Sequence, residues 1–257
     1  MFRRLKKSIL KKIPAGWRHR LVELKNSVWG GWSHTYYSHS GEDIFIESFF
    51  RNQKKGFYVD VGAHHPKRYS NTAILYARGW SGINIDSDSY LIERFKNARR
   101  RDVNINCGVG LKEETKTFHV FSDPAVSTFS KANVNRLNEK HWLEEVKSIA
   151  VKIRPLHAIL GEALPENTAI DLLNVDVEDL DLEALRSNDW EKYRPKLVAV
   201  EDLRFNPGNP TSSEIFTFME EQEYVFVAYI GLTLMFVEKN LAMEKYKDHL
   251  EPFKKQG

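Results

Sequence analysis

The 257-residue chain has one cysteine, Cys107, so an internal disulfide is excluded. Cys107 closes the apolar run Val103-Asn104-Ile105-Asn106-Cys107, where a small buried hydrophobe is the ordinary reading. No stretch reaches the ~18 uninterrupted apolar residues of a spanning helix, and nothing resembles a signal peptide with a cleavage site, which predicts a cytoplasmic protein. Glycine is missing where a pyrophosphate cradle would need it. Gly62 is followed by Ala63, His64, His65 and Pro66, so one glycine of a G-x-G-x-x-G turn is present instead of three. A basic stripe along the body is also lacking, which argues against a nucleic-acid partner.

Positive charge is confined to one end. Residues 1–25 carry nine Lys and Arg against Glu23 alone, a net +8, and with +3 for the whole chain the remainder is −5. Phe2, Leu5, Ile9 and Ile13 fall at helical spacing with most cations on the other side, and Trp17, Trp29 and Trp32 follow. Such a segment suits an anionic membrane surface, which would place the protein peripherally at the inner face of a membrane; a plain solvated tail is the competing reading.

The body alternates strand and helix patterns. Residues 57–65, Phe-Tyr-Val-Asp-Val-Gly-Ala-His-His, read as a strand ending in Asp60 and a small-residue turn at Gly62 and Ala63 that lets a ligand approach the backbone. A second run, Gly82-Ile83-Asn84-Ile85, stops at Asp86, where a carboxylate can take both hydroxyls of a ribose. Helices are predicted over 42–50, over 71–78 with Ser70 as cap and Gly79 as stop, and over 90–98, 182–186 and 213–221. Strands are predicted over 103–107, 116–121, 170–176, 197–201, 224–230 and 233–238, with a polar helical insertion over 129–149. The last two strands lie too close for a helical crossover and must form a hairpin. Parallel strands closed by that hairpin predict an α/β, Rossmann-like fold with a mostly parallel seven-stranded sheet, as in class I methyltransferases. A cofactor without phosphates, such as S-adenosylmethionine, needs the acidic strand ends but no phosphate cradle.

Several segments in order then become specific: Ser40-Gly41-Glu42-Asp43, Tyr58-Val59-Asp60-Val61-Gly62-Ala63-His64, Tyr69-Ser70-Asn71-Thr72, residues 79–86, Val126-Ser127-Thr128, Leu173-Asn174-Val175-Asp176-Val177-Glu178 and the 187–196 block. Over about residues 38–240 the chain resembles the FkbM family of methyltransferases. The resemblance implies S-adenosylmethionine-dependent O-methylation, often of sugar hydroxyls in polysaccharide or natural-product pathways. The family usually has Glu where Asp86 stands and Gly where Asp179 follows Glu178. The expected organisation is a basic extension over 1–38, a methyltransferase domain over 39–240 and a charged tail over 241–257.

On this reading Asp60, Gly62 and Ala63 face the methionine end of the cofactor and Asp86 its ribose. Asn106 and Cys107 lie beside the adenine, and Ser70 and Asn71 either meet the cofactor carboxylate or merely cap a helix. The acceptor is a small molecule or glycan. Its hydroxyl must lose a proton, for which His64 and His65, or Asp176 and Glu178, are candidate bases. Asp176, Glu201 and Asp202, at the ends of the fourth and fifth central strands, could instead hold Mg²⁺ or Mn²⁺. An NAD-linked oxidoreductase is disfavoured by the missing glycines. A membrane-associated cofactor-fold protein without activity gains no support from the intact acidic positions. The fourth strand ends in Asn-Val-Asp-Val-Glu, not in the Asp/Asn-Pro-Pro-aromatic sequence of DNA amino methylation.

Overall fold

The computed structural model describes residues 35–246, apart from 141 and 179, together with Pro14, Trp17, Arg20 and Leu24. The proposed amphipathic helix of residues 1–25 therefore lies outside the described residues, save those four positions. The chain divides into two units, residues 1–36 and 37–257, and every element below belongs to the second.

Five short strands set up a parallel sheet: β1 (Phe57–Val61), β2 (Ser81–Asp86), β3 (Val103–Asn106), β7 (Leu172–Val175) and β8 (Leu197–Glu201). β1 pairs in parallel with β2 on one side and β7 on the other, so Asp60 stands opposite both Asn84 and Asn174. β3 extends the sheet beyond β2, and β8 extends it beyond β7. The final hairpin, β9 (Tyr224–Ile230) and β10 (Thr233–Glu238), completes it, with β10 antiparallel to both β8 and β9. The sheet is mostly parallel, seven-stranded and closed by an antiparallel hairpin, as the sequence pattern predicts, and its order, β3-β2-β1-β7-β8-β10-β9, is that of a Rossmann-like methyltransferase sheet.

The central strands are apolar on both faces because both faces are covered. Val59, Val61, Leu173, Val198 and Phe236 pack with α5 (Leu156–Ala163), α6 (Asp181–Arg186) and α7 (Glu214–Glu221). Tyr58, Leu172, Leu197, Met235 and Val237 meet Ile46 of α1 (Glu42–Phe49), Leu75 of α2 (Ala73–Ala77) and Ala242 of α8 (Lys239–Lys245). α3 (Ser89–Ala98) follows β2 and is capped by Asp88, which accepts from the Tyr90 N–H. No helix among the described residues is long and apolar enough to cross a membrane.

Two expectations change. The 129–149 segment is helical only over α4 (Lys131–Asn138), with Ser130 accepting from the Asn133 N–H as cap. Residues Glu145–Arg154 form strand β6, which pairs antiparallel with β5 (Glu114–Phe121) and parallel with β4 (Gly108–Val109) in a second, three-stranded sheet. The reason is a period of two: Val151 and Ile153 are buried, while Ala150 before them and Lys152 between them are exposed. The helix expected over 71–78 shortens to α2. Ser70 does not cap it, because its hydroxyl accepts from Thr72 and Arg99 and Thr72 is the N-cap.

Candidate active site

A cleft of about 280 Å³ opens at the carboxyl ends of β1, β2, β7 and β8. In an open α/β sheet this is where ligands bind. Its two sides are built differently.

The first side starts at Gly62, whose φ is +77°. A Cβ there would stand 1.7 Å from the Asp176 carbonyl oxygen, so the glycine is required by the crossing of the β1 and β7 loops. Gly62 and Ala63 both donate their N–H to the Ile85 carbonyl. His64 follows with φ +53°, and its N–H donates to Asp86 Oδ2 at 2.8 Å. Asp86 Oδ1 accepts from the Asp88 N–H, also at 2.8 Å. One carboxylate thus ties the β1 loop to the β2 turn while lining the cleft. Burial pushes the Asp86 carboxyl up to about 6, against the pull of the two N–H donors.

Asp60 is 2% exposed and held from two directions. Thr72 Oγ1 donates to Oδ2 at 2.6 Å and Asn174 Nδ2 donates to Oδ1 at 2.9 Å. Asn71 in turn donates to the Asn174 side-chain oxygen at 2.9 Å, which links the loop before α2 to β7. Burial raises the Asp60 pKa, and the nearby Arg99 cation opposes it. Ser70, Asn71 and Cys107 line the cleft. The Cys107 thiol is buried and pushed up to about 11, so it stays neutral.

Three residues do not take the positions expected of them. Asn106 is not part of the cleft wall; its amide donates to the Asp86 and Ser87 carbonyls at 2.9 and 3.0 Å and shapes the turn behind the site. His65 also lies off the wall, and its Nδ1 accepts from the Lys67 and Arg68 N–H groups, so the ring caps a turn. Asp202 accepts from the Arg204 N–H at 2.9 Å and from the Ser213 hydroxyl, away from the cleft. Asp202 follows the last residue of β8 and is held by these two bonds, so of the pair Glu201 alone lines the cleft.

His64 does line the cleft, but as a poor base. Both ring nitrogens are buried without a hydrogen-bond partner among the described residues. Burial, then the neighbouring His65 and Arg68, lowers its pKa to about 4. The imidazole is neutral at pH 7 and too weakly basic to draw a proton from a hydroxyl.

The second side is acidic. Asp176, Glu178 and Glu201 bring carboxylate oxygens within 4.8 Å of one another, so Glu178 takes the place expected of Asp202. Asp176 keeps solvent contact inside the cleft; enclosure by its walls, then Asp60 and Glu42, push its carboxyl up to about 6. Glu178 sits at φ +53°.

Other cleft residues were not singled out by the sequence. Phe118 of β5 and Phe129, their rings 4.7 Å apart, form an apolar wall beside Cys107. The strand that carries Phe118 was legible, but nothing in the pattern said that the small sheet, or Phe129 beyond it, would reach the site. His39 and Tyr69, edge to face at 5.3 Å, flank the acidic side with Glu42. The Ser40-Gly41-Glu42-Asp43 motif was the available signal: Asp43 accepts from the Tyr37 N–H and the Ser38 hydroxyl, and Glu42 from the Ser40 N–H, which fixes the turn carrying His39.

A Pyrococcus horikoshii protein of known crystal structure, described provisionally as an RNA methyltransferase, is similar at 11% identity and a TM-score of 0.38, over 77% of this chain and 83% of that one. No curated protein matches the sequence. The family model for the methyltransferase FkbM domain matches residues 60–226, from the Asp60 carboxylate into β9. With the methyltransferase sheet order and the acidic strand ends on one edge, this makes the chain a member of the FkbM methyltransferase family.

Proposed function

We propose that the protein transfers the methyl group of S-adenosylmethionine to a hydroxyl of a sugar, in a nucleotide sugar or a glycan precursor. The observation that carries this reading is the pairing, in one cleft, of a heavily bonded side holding Asp60 and Asp86 with a crowded acidic side holding Asp176, Glu178 and Glu201. The first suits a cofactor that presents an amino acid and a ribose, with Asp86 accepting from the ribose hydroxyls and Phe118 and Phe129 beside the adenine. The second suits an acceptor that presents hydroxyl donors. In the reaction the acceptor oxygen attacks the sulfonium methyl carbon, the carbon–sulfur bond breaks to leave S-adenosylhomocysteine, and the hydroxyl proton passes to Asp176. A carboxylate raised to about 6 is ionised at pH 7 yet more basic than an ordinary one.

Asp176, Glu178 and Glu201 are hard oxygen donors that fit Mg²⁺ or Mn²⁺. Such an ion would lower the acceptor hydroxyl's pKa. Without an ion, the three side chains orient the hydroxyl by accepting from it. The basic segment 1–25 would hold the enzyme against an anionic membrane surface.

Calorimetry with S-adenosylmethionine and, separately, with nicotinamide cofactors tests the cofactor. A methyl-transfer screen against nucleotide sugars, read by mass spectrometry with and without chelator, tests acceptor and metal. Binding of a nicotinamide cofactor alone would overturn the reading, and full turnover in a metal-free preparation would remove the ion. Removal of residues 1–25 should abolish pelleting with anionic vesicles and leave turnover on a soluble acceptor intact; equal pelleting would rule out the membrane role.

A further inference from the structure

Arg99, the C-cap of α3, begins a run of three arginines that reads in sequence as a solvated helix end. Its side chain is instead 1% exposed and reaches Ser70 of the cleft wall. A guanidinium taken out of water is costly unless its donors are used and its charge is balanced. The donors are used. Nη2 donates to the Pro66 carbonyl at 2.6 Å and to Ser70 Oγ at 2.8 Å, and Nε reaches the same carbonyl at 3.2 Å. Nη1 donates to Thr72 Oγ1 at 2.7 Å, with longer contacts to Asn84 Oδ1 at 3.3 Å and the Tyr58 hydroxyl at 3.4 Å. All these acceptors are neutral. The charge is balanced one hydroxyl further out, because Thr72 donates to Asp60 and Tyr58 donates to Asp102.

We infer that Arg99 is a positioning residue for the cofactor: acting through the Thr72 hydroxyl it fixes the Asp60 carboxylate, and through Pro66 and Ser70 it pins the loop that presents Ser70 and Asn71 to the cleft. The inference rests on the S-adenosylmethionine reading of the site. Thr72 has a single hydroxyl proton. Because its oxygen accepts from the guanidinium, that proton is directed to Asp60, and donation to a polarised oxygen strengthens the second bond. Asn174 holds the other carboxylate oxygen, so the side chain cannot turn. Thr72 is not itself part of the cleft wall, so removing its hydroxyl cuts the connection in the middle and leaves every cleft-lining side chain chemically unaltered.

The test is S-adenosylmethionine affinity by calorimetry beside melting temperature, in the full chain. Thr72→Val keeps the shape and should raise the dissociation constant about tenfold or more. Thr72→Ser restores the hydroxyl and should stay within about threefold of the unaltered protein. A role in stability alone would lower melting temperatures without this split, and equal affinity of folded Thr72→Val and the unaltered protein would overturn the relay. Should Thr72→Val fail to fold, Arg99→Lys decides. One ammonium cannot serve Pro66, Ser70 and Thr72 as the fork does, so affinity must fall about tenfold, and an unchanged value overturns the inference. Absence of binding by the unaltered protein would remove the cofactor reading and this role with it, an outcome distinct from a binding protein whose variants are unaffected.

Discussion

The two sides of the cleft carry the same chemical group in opposite states. Asp60 and Asp86 each receive two hydrogen bonds from fixed donors, whereas Asp176, Glu178 and Glu201 crowd oxygens within 4.8 Å. Buried carboxylates with assigned donors are preorganised, and binding a ligand to them costs little rearrangement. Neighbouring carboxylates repel, and a proton, a cation or a hydroxyl donor relieves the repulsion. The contrast suggests a rigid grip on the ligand used in every turnover and a responsive surface for the one that is changed.

The sharpest way to break this contrast is Asp176→Ala. If the acidic side does the chemistry, kcat should fall by about 10²–10⁴ with S-adenosylmethionine affinity nearly unchanged. A matching loss of affinity would mean that Asp176 belongs to the cofactor grip.

Next in size is Asp86→Ala, which should weaken S-adenosylmethionine by about 1.5–3 kcal/mol in calorimetry. The same group predicts a pH dependence. Ribose hydroxyls donate to the ionised carboxylate, so affinity should fall as pH drops through about 6 and the variant should lack that limb. For the empty fold the sign is reversed. A folded-state pKa of about 6 against an ordinary 3.8 means the folded protein holds the proton more tightly. The cost of the buried charge is therefore absent below pH 3.8, grows as pH rises towards 6 and is complete above it. Thermal melts of both proteins across that window check the sign.

A smaller effect separates Asp202 from its neighbour. Asp202→Ala removes acceptors for Arg204 N–H and the Ser213 hydroxyl and should cost about 1–2 kcal/mol of stability by denaturant titration, while the response of turnover to Mg²⁺ or Mn²⁺ stays as before. A shifted metal response would restore Asp202 as a ligand. Smallest of all, Glu178→Gly relieves a positive φ, so the fold should be unchanged or stabilised by up to about 1 kcal/mol while the acceptor KM rises.

Much of the cofactor side was legible because strand ends announce themselves. Asp60 and Asp86 each close an apolar run, and the missing glycines argued against a phosphate cradle. The acidic side was half legible. Asp176 and Glu201 could be placed by strand register, but the choice between Glu178 and Asp202 depended on which way each side chain leaves its loop. Burial decided His64 against the base role, and no local pattern reports burial from a distant sheet. β6 was misread because Glu, Lys and Ser dilute its apolar alternation, and the helical pattern just before it invited continuation. Arg99 was hidden for a similar reason: a cation beside Arg100 and Arg101 reads as surface until the helix is docked.

The last strand in chain order is not the last in the sheet. β10 fills the slot between β8 and β9, so Leu197–Glu201 has no outer neighbour until the hairpin arrives. During synthesis or refolding that apolar edge is open to a strand from another chain. The hairpin turns at Gly231, φ +61°, where a Cβ would stand 2.6 Å from Ser40 Cβ. A side chain at that turn would first be felt as lower soluble yield, well before the finished protein lost affinity or turnover.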